Sequence, residues 1–147
     1  MQLKDFPLSW RWMNENYALL PDAVLARIHP QDEEQAALLF TESLEHCVID
    51  GLDESRFSLT KIETNGVSSL KVSQWLLDRH IDQETEVFLS WQSDTAVKTT
   101  WGIFVTYWDE FCYPASDDLS VWSESGAWAL LYHHEEQLQF GIRAPIG

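Results

Sequence analysis

An α+β fold is predicted by three features of the sequence. Apolar residues recur at helical spacing in the first third, alternate in twos afterwards, and end in two stretches that match as an antiparallel hairpin. The expected architecture is a set of N-terminal helices packed on one face of a four- to six-stranded, mainly antiparallel sheet. Residues 1–147 read as a single α+β domain, without internal repeats or a linker. Apolar residues make up 45% of the chain and aromatics 13%, including eight Trp, so a core can form and intrinsic disorder is excluded.

Taken in order, Pro7 to Met13 opens a first short helix with Pro in its first turn, and Pro21 to Ile28 a second that Pro30 stops. Gln31 to His46 carries the clearest helical pattern. Asp32, Glu33 and Glu34 suit the dipole of its first turn, while Ala37, Phe40, Leu44 and Cys47 form its apolar stripe, broadened by Leu38 and Leu39. Asp50-Gly51 closes this helical third. Arg56 to Ile62 alternates as a strand bounded by Asn65-Gly66, and Val72, Trp75, Leu76 and His80 return to helical spacing. Glu86 to Gln92 is the next strand. Val97 to Tyr107 then places Trp101, Ile103, Val105 and Tyr107 on one side, and is the expected central strand.

The last two strands, Ala127 to His133 and Gln137 to Arg143, can be aligned by register. A three-residue loop of His134, Glu135 and Glu136 sets Tyr132 against Leu138, Leu130 against Phe140 and Trp128 against Ile142. A two-residue loop would oppose Trp128 to Arg143 and lacks the Gly or Asn such a turn needs. The three-residue loop is therefore expected.

Charge narrows the function classes. Nine Lys and Arg stand against 24 Asp and Glu, a formal net charge of -15. Such a surface repels phosphate backbones and anionic membranes, so no nucleic-acid or membrane partner is expected. No apolar run reaches the ~18 residues of a membrane helix, and the opening Met1-Gln-Leu-Lys-Asp-Phe-Pro lacks an apolar signal core. Cys47 and Cys112 form no C-x-x-C pattern and read as reduced thiols, with a lone disulfide as the alternative. A cytoplasmic location is the expectation.

Two stretches invite a chemical reading. His133-His134-Glu135-Glu136 lacks the H-E-x-x-H spacing of a zincin, and strand alternation would turn the two imidazoles to opposite faces. It reads as a polar hairpin tip, and neither a metal nor another cofactor is expected. Trp108 to Asp118 is richer, a loop in which Ser116, Asp117 and Asp118 either brace a turn or offer carboxylates to a ligand. Arg143 is the sole base after Lys98, which suggests a carboxylate partner. The candidate binding residues are Trp108, Tyr113, Asp117, Asp118, His133 and Arg143. No G-x-S-x-G elbow, P-loop or G-x-G-x-x-G occurs, and His29, His46 and His80 stand isolated, so no catalytic residue is named.

Trp101-Gly102, Trp108-x-x-Phe111-x-Tyr113-Pro114-x-Ser116-Asp117-Asp118, His134-Glu135 and Phe140-Gly141-x-Arg143 carry a resemblance over residues 85–143. The segment resembles small acidic bacterial α+β proteins of the domain-of-unknown-function kind, and is similar to some α+β immunity proteins that neutralise toxins. That resemblance implies a cytoplasmic bacterial protein and transfers no catalytic residue. The leading expectation is a non-enzymatic binding protein for a basic protein partner, in the form of an immunity-type inhibitor. The alternatives are a small-molecule-binding or hydrolytic site at the end of the sheet, lined by Tyr113, Asp117, Asp118, His133 and Arg143, and a scaffolding homo-oligomer.

Overall fold

A computed structural model describes residues 1–49 and 51–143. After a 3-10 turn at Leu3–Asp5, the chain forms α1 (Trp10–Met13), β1 (Ala18–Leu19), α2 (Asp22–Leu25), β2 (His29–Pro30) and α3 (Glu33–Leu44). A ribbon of β3 (Cys47–Val48) and β4 (Gly51–Leu52) follows, then β5 (Phe57–Glu63), α4 (Ser69–Leu77), β6 (Glu86–Gln92) and β7 (Thr95–Thr100). The remainder is α5 (Trp101–Thr106), α6 (Trp108–Phe111), β8 (Leu119–Ser123), β9 (Trp128–His133) and β10 (Gln137–Arg143). Seven strands make one sheet in the order β2-β7-β6-β8-β9-β10-β5, with antiparallel pairing throughout. The fold is α+β. No helix among the described residues is long and apolar enough to cross a membrane.

The β9–β10 hairpin has the register that a three-residue loop requires, with His133 opposite Gln137, Leu130 opposite Phe140 and Trp128 opposite Ile142. Glu136 closes that loop at φ 65°, in the left-handed region, and its carbonyl accepts the Thr64 N–H at 2.8 Å.

Four expectations are corrected. The sheet has seven strands rather than four to six, because β8 and the two-residue edge β2 escaped the sequence reading. All five β8 residues are buried, so no polar face marks its alternation, and Pro30 sits where a missing N–H is tolerated, on an edge. Of the Asp50–Gly51 boundary, Asp50 lies outside the described residues.

The expected strand Val97 to Tyr107 ends at Thr100 and turns into α5. Thr100 Oγ1 accepts the Ile103 N–H at 3.3 Å, capping the helix, while the Trp101 and Gly102 N–H groups donate to the Thr85 and Gln83 carbonyls at 2.8 and 2.9 Å. A Cβ at Gly102 would lie 3.0 Å from Gln83 Cβ, so the close approach favours glycine. Trp101, Ile103, Phe104 and Val105 are all buried, and over six residues the alternation of Trp101, Ile103 and Val105 mimics a strand.

Helices also cover both faces of the sheet, not one. Val87, Leu89, Val97, Leu119, Val121, Leu130 and Tyr132 point to the main core with Trp12, Val72, Leu76, Phe104 and Phe111. The opposite face carries Ala96, Trp122, Ala129 and Leu131 beneath Ala36 and Leu39 of α3 and Leu52 of the ribbon. The buried stripe of α3 is thus Ala36, Leu39 and Ser43, one residue out of phase with the expected Ala37, Phe40 and Leu44. Ala36 and Ala96 are both fully buried, and small side chains let helix and sheet approach. Leu38 and Leu44 are left exposed.

Three indoles lock the main core by donating to backbone carbonyls: Trp12 to Glu110, Trp91 to Phe111 and Trp108 to Ser69, at 2.9, 3.1 and 3.1 Å. On the other face His46, only 5% exposed, lies edge-on to Phe57 and Trp122. Desolvation outweighs the pull of Glu42 and Glu45 and lowers its pKa from the ordinary 6.5.

Two predictions follow from these elements. Glu136→Gly relieves a left-handed backbone at a turn and should raise stability by ~0.5–1 kcal/mol, read as a higher urea midpoint with unchanged slope. His46 is held neutral, so below pH 6.5 the unfolded chain binds the proton more readily and stability falls as pH drops. His46→Phe should lose less Tm than the wild type between about pH 7.5 and about pH 5.5; equal losses would remove His46 as the cause.

Candidate functional site at the end of the sheet

A cleft of about 390 Å³ opens where α3 and the ribbon leave the sheet. Its floor is the end of the sheet itself, with Ser90 of β6, Ser120 of β8 and Leu131 of β9. Phe40 and Leu44 of α3, with Cys47, Val48 and Ile49, form one wall, and Ser116 to Asp118 with His133 and His134 form the other. The ribbon is seated by β10: Gln139 Oε1 accepts the Leu52 N–H at 3.0 Å, and a Cβ at Gly51 would run into the Gln139 amide. Ser90 is 2% exposed and its hydroxyl has no partner among the described residues. Cys47 and Cys112 are free thiols. Burial raises the pKa of Cys47, against a hydrogen bond with Ser120 that lowers it.

The β8–β9 register places the carboxylates. Leu119 lies opposite Tyr132, which brings Asp118 level with the turn after His133. Asp118 Oδ1 accepts both the His134 N–H and its Nδ1–H, each at 2.9 Å. Burial alone would raise the Asp118 pKa, but the two His134 hydrogen bonds outweigh it and hold the carboxyl below its ordinary value. The same contact raises the pKa of His134. The two imidazoles stack with centroids 4.3 Å apart. Strand alternation does not part them, because it extends only to His133, the last residue of β9, and His134 already belongs to the turn.

Asp117 faces the other way. It is 6% exposed and takes both Arg11 terminal nitrogens, at 2.6 and 3.0 Å, while accepting the Tyr113 N–H at 2.9 Å. The Arg11 guanidinium is 4.0 Å from the Tyr113 ring centroid and 5.4 Å from that of Trp10. Asp117 braces the loop, and Asp118 is the exposed member of the pair.

The six candidate residues do not form one constellation. Asp117, Asp118 and His133 line the cleft. Trp108 is buried against α4, and Tyr113 is half-buried over Arg11. Arg143 is at the other end of β10, roughly 20 Å along the strand from Gln137; its Nε donates to the Gly126 carbonyl at 2.8 Å and its guanidinium lies 5.3 Å from Phe57. Among the described residues these contacts, and no carboxylate, hold the solitary base. Sequence reasoning missed His134, Cys47, Ser90 and the Leu44–Val48–Ile49 wall, and only a correct placement of β8 and the ribbon would have joined them. Among the described residues no hydroxyl or thiol hydrogen-bonds to either imidazole of the turn, so the pair lacks an attached nucleophile.

Substitution separates the two aspartates. Asp117→Ala strands a buried guanidinium and should cost about 3–5 kcal/mol, whereas Asp118→Ala should change stability by less than about 1 kcal/mol; chemical denaturation measures both, and equal effects would contradict the assignment. Scanned against protein-family models the chain matches none, and a search of curated proteins finds no match.

Proposed function

We propose that the chain is a non-enzymatic acidic binding protein that receives a basic segment of a protein partner in the cleft at the end of the sheet. One observation carries this reading: the lining combines an exposed apolar wall with carboxylates and contains no Lys or Arg among the described residues. Leu44, Val48 and Ile49 are 57%, 56% and 98% exposed. An adjoining cleft of about 460 Å³ shares Ile49, His133 and His134 and adds Glu63 and Glu135. A Lys or Arg side chain matches such a surface, its methylene stem along the wall and its charged head at the carboxylates. The net charge of -15 steers a basic partner toward the protein and speeds association more than it deepens affinity. The resemblance over residues 85–143 supports a toxin as that partner and immunity-type inhibition as the outcome.

A second reading is a small cationic ligand in the same cleft. The size of the cleft favours it, since about 390 Å³ is within the range that small-molecule sites occupy.

The test is a titration of isotope-labelled protein with an amphipathic Lys/Leu peptide and, separately, with spermidine. Amide shifts should cluster at residues 44–49, 116–120 and 131–135, weaken with salt, and shrink at least about threefold in affinity for Ile49→Ser, whose side chain is already in solvent. Shifts spread over the whole acidic surface would overturn the cleft as the binding site. A response to spermidine alone would select the small-ligand reading.

A further inference from the structure

We propose that Asp118, His133 and His134 form a binding site for a divalent first-row transition-metal ion, Zn²⁺ being its representative, at the lip of the cleft. Each residue offers one ligand atom, and these atoms all lie within 4.8 Å of one another. The grouping follows from the fold, because β8–β9 pairing sets Asp118 beside the turn and the turn stacks the second imidazole on the first.

The donor atoms are already neighbours. His134 Nδ1 and Asp118 Oδ1 stand 2.9 Å apart, so ring and carboxylate can bind one ion side by side once the proton between them leaves Nδ1 and the ring carries its proton on Nε2. Among the described residues Asp118 Oδ2 accepts no hydrogen bond and is open to an ion. His133 accepts the Glu135 N–H on Nδ1 at 3.1 Å. Coordination by His133 therefore releases one hydrogen bond of an exposed turn, whose N–H water can satisfy. Asp118 and His134 are exposed and His133 half-buried, so the ring and carboxylate adjust without disturbing the core.

Two imidazoles and one carboxylate select Zn²⁺, Ni²⁺ or Cu²⁺ over Ca²⁺ and Mg²⁺, which take oxygen donors. Three protein ligands leave a fourth tetrahedral position for water or a donor from outside. Glu135 and Glu63 line the adjoining cleft and add favourable field for a cation.

The ion site does not rest on the basic-partner reading and is tested without a peptide. Tag-free protein is titrated calorimetrically with Zn²⁺, then with Mg²⁺. The expectation is one Zn²⁺ per chain and no Mg²⁺ signal. Affinity should fall about tenfold or more in His133→Ala, His134→Ala and Asp118→Asn. The exposed His29 and His80 serve as the control, and their joint replacement by Ala should leave the affinity unchanged. Co²⁺ loading adds a fold-independent readout, a tetrahedral visible absorption that the three variants lose. Wild-type affinity in the three variants, loss of binding in the control, or no 1:1 Zn²⁺ binding would each overturn the site.

Discussion

Arg11 and Asp117 hold each other where neither charge could stay alone. The pair is about as buried as the surrounding core, and it joins residues 106 apart in sequence. A buried ion pair contributes little net stability over an apolar substitute, yet removing one partner leaves an uncompensated charge. Its consequence here is positional. Asp117 can meet α1 only if the chain from Tyr113 folds back, which the Tyr113 N–H to Asp117 and Asp117 N–H to Tyr113 carbonyl bonds record. With Asp117 turned inward, the next side chain points outward. Asp118 reaches the hairpin turn for that reason, and the lip of the cleft is built from the outside of a loop whose inside is an ion pair.

Legibility in the sequence tracked how many faces of each element are covered. The β9–β10 hairpin was legible because a one-residue slip would set Trp128 against Arg143, so a single comparison decides its register. β8 is buried throughout, which removes the polar residues that make a period visible, and α5 is a six-residue helix whose Trp101, Ile103 and Val105 alternate as a strand would. The phase of α3 failed for a different reason. Volume overrode hydrophobicity: the helix approaches the sheet over Ala36 and Ser43, and its larger Leu38 and Leu44 face solvent.

The site was legible as chemistry and not as geometry. Asp118 and His133 were identifiable as candidates, but their convergence depends on the pairing of β8 with β9, and β8 was not recognised. Arg143 shows the converse. Its isolation in an acidic segment suggested a carboxylate partner, whereas its partners among the described residues are a backbone carbonyl and the face of Phe57. Scarcity of a residue type along the chain says little about its neighbours in space.

The two cations proposed for the lip draw on one carboxylate, and this couples them. Asp118 is one of the three metal donors and the exposed carboxylate that a basic side chain would meet in the cleft. A bound divalent ion would neutralise it and add positive charge beside Glu135, reversing the local field that attracts a Lys or Arg. The apolar wall of Leu44, Val48 and Ile49 would be untouched. An ion at the lip would therefore shift the preference of the cleft from cationic toward anionic or metal-ligating groups, at constant apolar contact. Because linkage is reciprocal, a basic segment seated at Asp118 would weaken the ion by the same factor. The hairpin turn, held at the end of a rigid sheet, is the element through which each occupant would sense the other.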